Sequence, residues 1–148
     1  MILSVPAWGK RPQGTMTNVL IVDDDVALCQ IMATVLSNVG YSVTVTHEGR
    51  HALEAITQRS YEVAIVDLLI PHMNGIEIIR ELKRVTPGIG LILVSGLLPE
   101  MGTSSALSGV MKLQKPFRRD DLLEIVARCA AHATVSDGTD SPLSLIHI

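Results

Sequence analysis

A chain of 148 residues has room for one ordinary domain, and 47% hydrophobic residues are enough for a real core. Its formal net charge of −3 supplies no global basic field, which argues against nucleic-acid binding as the main activity. Cys29 and Cys129 fall in helical apolar patterns without metal-type spacing, so they read as core residues and call for no oxidising compartment. No apolar run approaches the roughly 18 residues of a membrane span, and a soluble cytoplasmic protein is expected.

Residues 1–16 carry Pro, Gly and polar residues without periodicity and are expected to form a disordered leader, with Met16 a candidate start of translation. Val19-Leu20-Ile21-Val22 reads as a strand buried on both faces, and it ends in Asp23-Asp24-Asp25. From Val26 to Val39 the apolar residues Leu28, Ile31, Met32, Val35, Leu36 and Val39 form a helical stripe, closed by Gly40. The stretch Tyr41–Thr46 alternates more strictly, as a less buried or edge strand does. Gly49 leads into a helix over Arg50–Arg59 with Ala52, Leu53, Ala55 and Ile56 inward.

Val63-Ala64-Ile65-Val66 repeats the buried-strand pattern and ends at Asp67, followed by a Pro71-to-Gly75 loop. The next helix uses Ile76, Ile78, Ile79, Leu82 and Val85 before Pro87-Gly88 stops it. Leu91–Val94 is a fourth strand delivering Ser95-Gly96. Leu97 to Gly109, with Pro99, Gly102 and a Ser/Thr cluster, predicts only a short or frayed helix. Val110–Leu113 is a fifth strand ending near Lys115-Pro116-Phe117, and Asp120 to about Ala133 is the last helix, with Leu122, Leu123, Ile125, Val126 and Cys129 inward. Residues 17–132 form the domain; 133–148 read as a disordered tail.

Strands alternating with helices imply parallel strands and right-handed crossovers, hence an α/β, doubly wound five-stranded sheet. With the two most apolar strands central and the polar second strand at an edge, the order is 2-1-3-4-5, and ligands bind at the carboxyl ends of the first and third strands. Asp23, Asp24, Asp67, Ser95 and Lys115 all fall on that rim. Carboxylates with a backbone carbonyl make the hard oxygen set that Mg²⁺ prefers, while a hydroxyl and an amine suit the oxygens of a phosphoryl group. An acid at a strand end is more often a helix cap than a ligand, and Asp25 is read as open to being only that. His47, His51, His72 and His132 show no metal spacing and read as surface or loop residues, with His72 near enough in sequence to tune access to Asp67.

Ile21-Val22-Asp23-Asp24-Asp25, Val66-Asp67 with Pro71-His72-Met73-Asn74-Gly75, Val94-Ser95-Gly96 and Lys115-Pro116-Phe117 together resemble the receiver domain of bacterial two-component response regulators, over roughly Thr17 to His132. The resemblance implies a flavodoxin-like receiver fold, Asp67 as phosphoacceptor, and Asp23 and Asp24 as the acidic pair. It further implies Mg²⁺ bound by Asp24, Asp67 and the Leu69 carbonyl, with Asp23 in the metal set. Ser95 would be the switch hydroxyl, and Lys115 would pair with the phosphoryl oxygens, ahead of a proline often preceded by a cis bond. The implied donor is a histidine kinase or a histidine phosphotransfer protein, and the chain would catalyse only its own phosphorylation and dephosphorylation. Lys112 stands near the place where the family usually carries an aromatic residue.

Two other readings remain at this point. The Asp23-Asp24-Asp25 string also resembles the nucleophile motif of haloacid-dehalogenase-type phosphatases, with Asp23 as nucleophile and Asp25 as general acid, which leaves Asp67 without a role. A degenerate receiver acting as a binding module would not need the acids, hydroxyl and lysine that the chain retains.

Overall fold

The computed structural model describes residues 16–96 and 107–135. Within them the order is β1 (Asn18–Val22), α1 (Val26–Asn38), β2 (Ser42–Thr46), α2 (Gly49–Ala55), β3 (Val63–Asp67), α3 (Gly75–Val85), β4 (Gly90–Ser95), β5 (Met111–Gln114) and α4 (Arg119–Val135). All five strands are parallel and lie in the order β2-β1-β3-β4-β5. The doubly wound sheet expected from the pattern is therefore the fold. Of the stretch Leu97 to Gly109, where a short or frayed helix is expected, residues 97–106 lie outside the described residues, and 107–109 form a turn before β5.

Two apolar layers sandwich the sheet. Alternate residues of β1 and β3 divide between them: Val19, Ile21, Val63 and Ile65 pack with Cys29, Met32 and Leu36 of α1 and Leu122, Val126 and Cys129 of α4. Leu20, Val22, Ala64 and Val66 pack with Ala52 of α2 and Ile78, Ile79 and Leu82 of α3 on the other face. Burying each Val, Leu, Ile or Met among them contributes about 1.5–3 kcal/mol, which is why continuous apolar runs fit these central strands. β2, at the edge, has only half-buried residues.

Element ends differ from the periodicity in small, explicable ways. α1 closes at Val39, and Gly40 takes the left-handed conformation (φ 104°) that a glycine adopts without steric cost. α2 stops at Ala55, short of Arg59, because its end tightens: the Thr57 and Gln58 N–H groups donate to carbonyls three residues back, and Thr57 Oγ1 also donates to the Glu54 carbonyl at 2.7 Å. β5 begins at Met111 because the Val110 N–H is spent closing a turn onto the Leu107 carbonyl. Val85, expected inward, is 42% exposed in the last turn of α3. No helix among the described residues is long and apolar enough to cross a membrane.

The register decides what reaches the carboxyl edge. Val22 pairs with Val66, Asp67 with Val94, and Ser95 with Gln114. The residues that follow or end these strands, Asp23, Asp67, Ser95 and Lys115, therefore emerge along one rim.

Candidate phosphoacceptor site

Asp67 is the last residue of β3 and is buried, as are Asp23 and Ser95, whereas Asp24 is exposed. One carboxylate oxygen from each of Asp23, Asp24 and Asp67 lies within 4.8 Å of the others. Lys115 enters from the end of β5 and places its ammonium 3.4 Å from Asp23 Oδ2 and 3.4 Å from Asp67 Oδ1. Its backbone is tied to the end of β4, where the Lys115 N–H donates to the Ser95 carbonyl at 3.0 Å. Thus four of the expected residues meet around one point. Ser95 ends the strand beside Asp67. Leu69 follows Asp67 by two positions and turns its side chain out to solvent, 60% exposed.

The electrostatics follow from burial. Loss of hydration raises the Asp67 carboxyl from the ordinary 3.8 to about 6, with repulsion from Asp23 adding to it and Lys115 and a hydrogen bond from the Leu69 backbone opposing it. Burial works against the Lys115 charge, but attraction to Asp23 and then Asp67 outweighs it and holds the amine above its ordinary value. Among the described residues three carboxylates thus crowd one site, and Lys115 reaches two of them, Asp23 and Asp67. Hard oxygen donors with excess negative charge fit a small divalent cation, which cancels such repulsion. The donor set, all carboxylate oxygen, is compatible with Mg²⁺.

The loop that leaves Asp67 is held by local bonds that periodicity does not show. Asn74 Oδ1 accepts from the Glu77 N–H at 3.0 Å while Glu77 Oε1 accepts from the Asn74 N–H at 3.3 Å, a reciprocal cap on α3. Gly75 lies so close to β3 that a Cβ there would strike the Asp67 carbonyl oxygen. His72, exposed at the loop tip, has φ of 72°, a conformation that glycine adopts far more readily. An open depression of about 420 Å³, lined by Asp25, Leu28, Lys115, Pro116 and Phe117, adjoins the ammonium.

Asp25 does not join the cluster. Its Oδ1 accepts from the Leu28 N–H at 3.0 Å and caps α1, the reading that pattern left open. Two contacts were invisible in the sequence: His47 Nδ1 lies 2.9 Å from the Asp23 carbonyl oxygen, and Cys29 Sγ donates to the same oxygen at 3.2 Å. Cys29 is otherwise the buried core residue expected, and burial, followed by Asp23 and Asp25, pushes its thiol up to about 12.

Residues 19–127 match the family described as the response regulator receiver domain. The chain belongs to that family. The receiver is 29% identical over 122 residues to the transcriptional regulatory protein ZraR of Escherichia coli O157:H7, covering 81% of this chain but 28% of ZraR. To the DNA-binding response regulator MtrA of Mycolicibacterium paratuberculosis it is 30% identical over 132 residues, covering 88% of this chain and 56% of MtrA. The chain therefore spans roughly a quarter to a half of the length of these relatives. Among solved structures it resembles a CheY-like receiver domain protein from Methanospirillum hungatei JF-1, with a TM-score of 0.72 and 25% identity over 81% of this chain and 98% of that one. The receiver domain of NtrX from Brucella abortus aligns at a TM-score of 0.70 and 25% identity, covering 76% and 98%. The receiver carries an acidic pocket compatible with Mg²⁺.

Proposed function

We propose that this receiver accepts a phosphoryl group on Asp67 from the phosphohistidine of a histidine kinase or a histidine phosphotransfer protein, in a Mg²⁺-dependent reaction, and thereby switches a protein-interaction surface. The observation that carries the proposal is the buried Asp67 carboxylate beside two further acids, with Lys115 3.4 Å away. Asp67 supplies the attacking oxygen, which needs its ionised form, and a carboxyl near 6 is ionised at neutral pH. As the new P–O bond forms, the P–N bond to the donor imidazole breaks and that ring leaves. Bound by Asp24, Asp67 and the Leu69 carbonyl, with Asp23 supporting the set, Mg²⁺ would neutralise developing charge on the phosphoryl oxygens. Lys115 would meet one of those oxygens and the Ser95 hydroxyl another.

The phosphoryl group would carry about −1.5 to −2 charge in place of the carboxylate's −1, which would draw the Lys115 ammonium and the Ser95 hydroxyl toward it. Activity is confined to the chain's own phosphorylation and dephosphorylation, in the cytoplasm. For the residues present, a net charge of −3 favours a protein partner over nucleic acid, and the DNA-directed names of ZraR and MtrA stay with those longer proteins. The phosphatase alternative is weakened because Asp25, its general acid, is committed to capping α1. Intact-mass measurement after incubation with Mg²⁺ and acetyl phosphate or phosphoramidate tests the proposal. A Mg²⁺-dependent, hydroxylamine-labile adduct on the wild type that vanishes in Asp67→Asn is expected. An adduct that survives Asp67→Asn but is lost in Asp23→Asn would overturn it in favour of the phosphatase.

A further inference from the structure

We propose that His47 and Cys29 are positioning residues, clamping the peptide that joins Asp23 to Asp24 so that both carboxylates face the cation site. The inference rests on the reading of that pair as part of the metal set. A carbonyl oxygen only accepts, so at 2.9 Å from the Asp23 carbonyl the His47 Nδ1 must carry a proton. Cys29 Sγ, 3.2 Å from the same oxygen and 3.8 Å from that ring nitrogen, supplies a second donor from the opposite element, α1. That carbonyl thus accepts from two side chains.

The rest of Asp23 is tied as well. Its N–H donates to the Thr46 carbonyl at 3.1 Å, its Oδ1 accepts from the Asp25 N–H at 2.9 Å, and its Oδ2 faces Lys115. Asp24, by contrast, is exposed, and its direction depends on the orientation of the preceding peptide. Rotating that peptide would swing Asp24 away from Asp67. The two donors therefore do for the acid pair what outer-shell partners do for metal ligands generally, whose removal typically weakens metal binding about 10–100-fold. His47 occupies the first position after β2, so the edge strand takes part in holding a site that β1 and β3 display.

The test compares His47→Ala, His47→Asn and His47→Ala/Cys29→Ala with wild type, reading Mg²⁺ affinity from backbone amide shifts and thermal stability in parallel. Asn can place an amide N–H where Nδ1 stands, while Cys29→Ala keeps an apolar side chain in the core. Expected are Mg²⁺ affinity weakened about tenfold in His47→Ala, further loss in the double variant, and recovery in His47→Asn. The Mg²⁺ concentration for half-maximal labelling should rise likewise, with the rate at saturating Mg²⁺ retained. Affinity within about twofold of wild type in a folded double variant would overturn the proposal, as would failure of His47→Asn to recover. Mg²⁺ binding by a wild type that takes no adduct would sink the phosphoacceptor reading alone, while a wild type without Mg²⁺ binding would overturn the positioning role.

Discussion

Asp67→Asn should stabilise the metal-free protein, an outcome opposite to the usual cost of altering a buried polar residue. In the fold the carboxyl is lifted from the ordinary 3.8 to about 6, and its side chain is 8% exposed, so little solvent screening discounts the effect. A difference of roughly two pKa units corresponds to about 3 kcal/mol of unfavourable ionisation in the native state at neutral pH. Asn keeps the shape and an acceptor for Lys115 without the charge. The sign follows from linkage: between the unfolded and folded values the native state binds more protons, so wild-type stability rises as pH falls. Urea unfolding in EDTA should show Asp67→Asn ahead by up to about 3 kcal/mol near pH 7.5, with roughly half of that gap closed by about pH 5. Mg²⁺ at about 100 times its dissociation constant should restore about 2.7 kcal/mol to the wild type at neutral pH and much less to the variant. A stability difference that is the same at both pH values in EDTA would refute the argument, whatever its size, because ionisation of Asp67 would not be its source.

Three further outcomes test separate parts of the structure. Asp25→Ala should cost about 1 kcal/mol by uncapping α1, seen as a lowered thermal midpoint, while labelling of Asp67 persists; loss of labelling would return Asp25 to a chemical role. Gly75→Ala drives a Cβ to 2.7 Å from the Leu68 Cα and against the Asp67 carbonyl, and should destabilise by about 1–3 kcal/mol in urea unfolding. An unchanged midpoint would mean that α3 can slide away from β3 freely. Leu69, exposed and apolar beside the site, cannot orient an attacking water, so Leu69→Asn should shorten the adduct lifetime followed by intact mass, and an equal lifetime would remove that explanation.

Much of this fold was legible because burial on two faces leaves a plain mark. Val19–Val22 and Val63–Val66 can be unbroken apolar runs only in strands covered by helices on both sides, and that placed them centrally and their terminal acids on one rim. The polar alternation of β2 marked it as an edge for the converse reason. What escaped was decided by single atoms. Nothing in periodicity ends α2 at Ala55, because the ending depends on Thr57 bonding back to Glu54. Val85 has the right spacing for the core, but spacing says nothing about how far the core extends under the last turn of α3. Cys29 was rightly placed inside, yet assigning a side chain to a face cannot show that its sulfur sits at the rim beneath Asp23. The Asn74–Glu77 cap did have a signal, an Asn followed three residues later by Glu ahead of an apolar stripe.

The geometry of Lys115 bears on how such a site could switch. Charge-assisted N–H···O bonds are strongest at about 2.7–2.9 Å, whereas the ammonium stands 3.4 Å from each of two carboxylates. It is shared between Asp23 and Asp67 and optimal to neither, so moving toward Asp67 forfeits little at Asp23. A phosphoryl group on Asp67 would place new oxygens nearer the amine, and the gain from a short charge-assisted bond would exceed what the long contact to Asp23 loses. The backbone would carry such a shift further, because the Lys115 N–H is bonded to the Ser95 carbonyl. Lys115 would thereby link the charge on β3 to the ends of β4 and β5. Even a metal-free protein with Asp67 neutralised by mutation should then show amide perturbations running along Ser95 and Gln114, the paired ends of those strands.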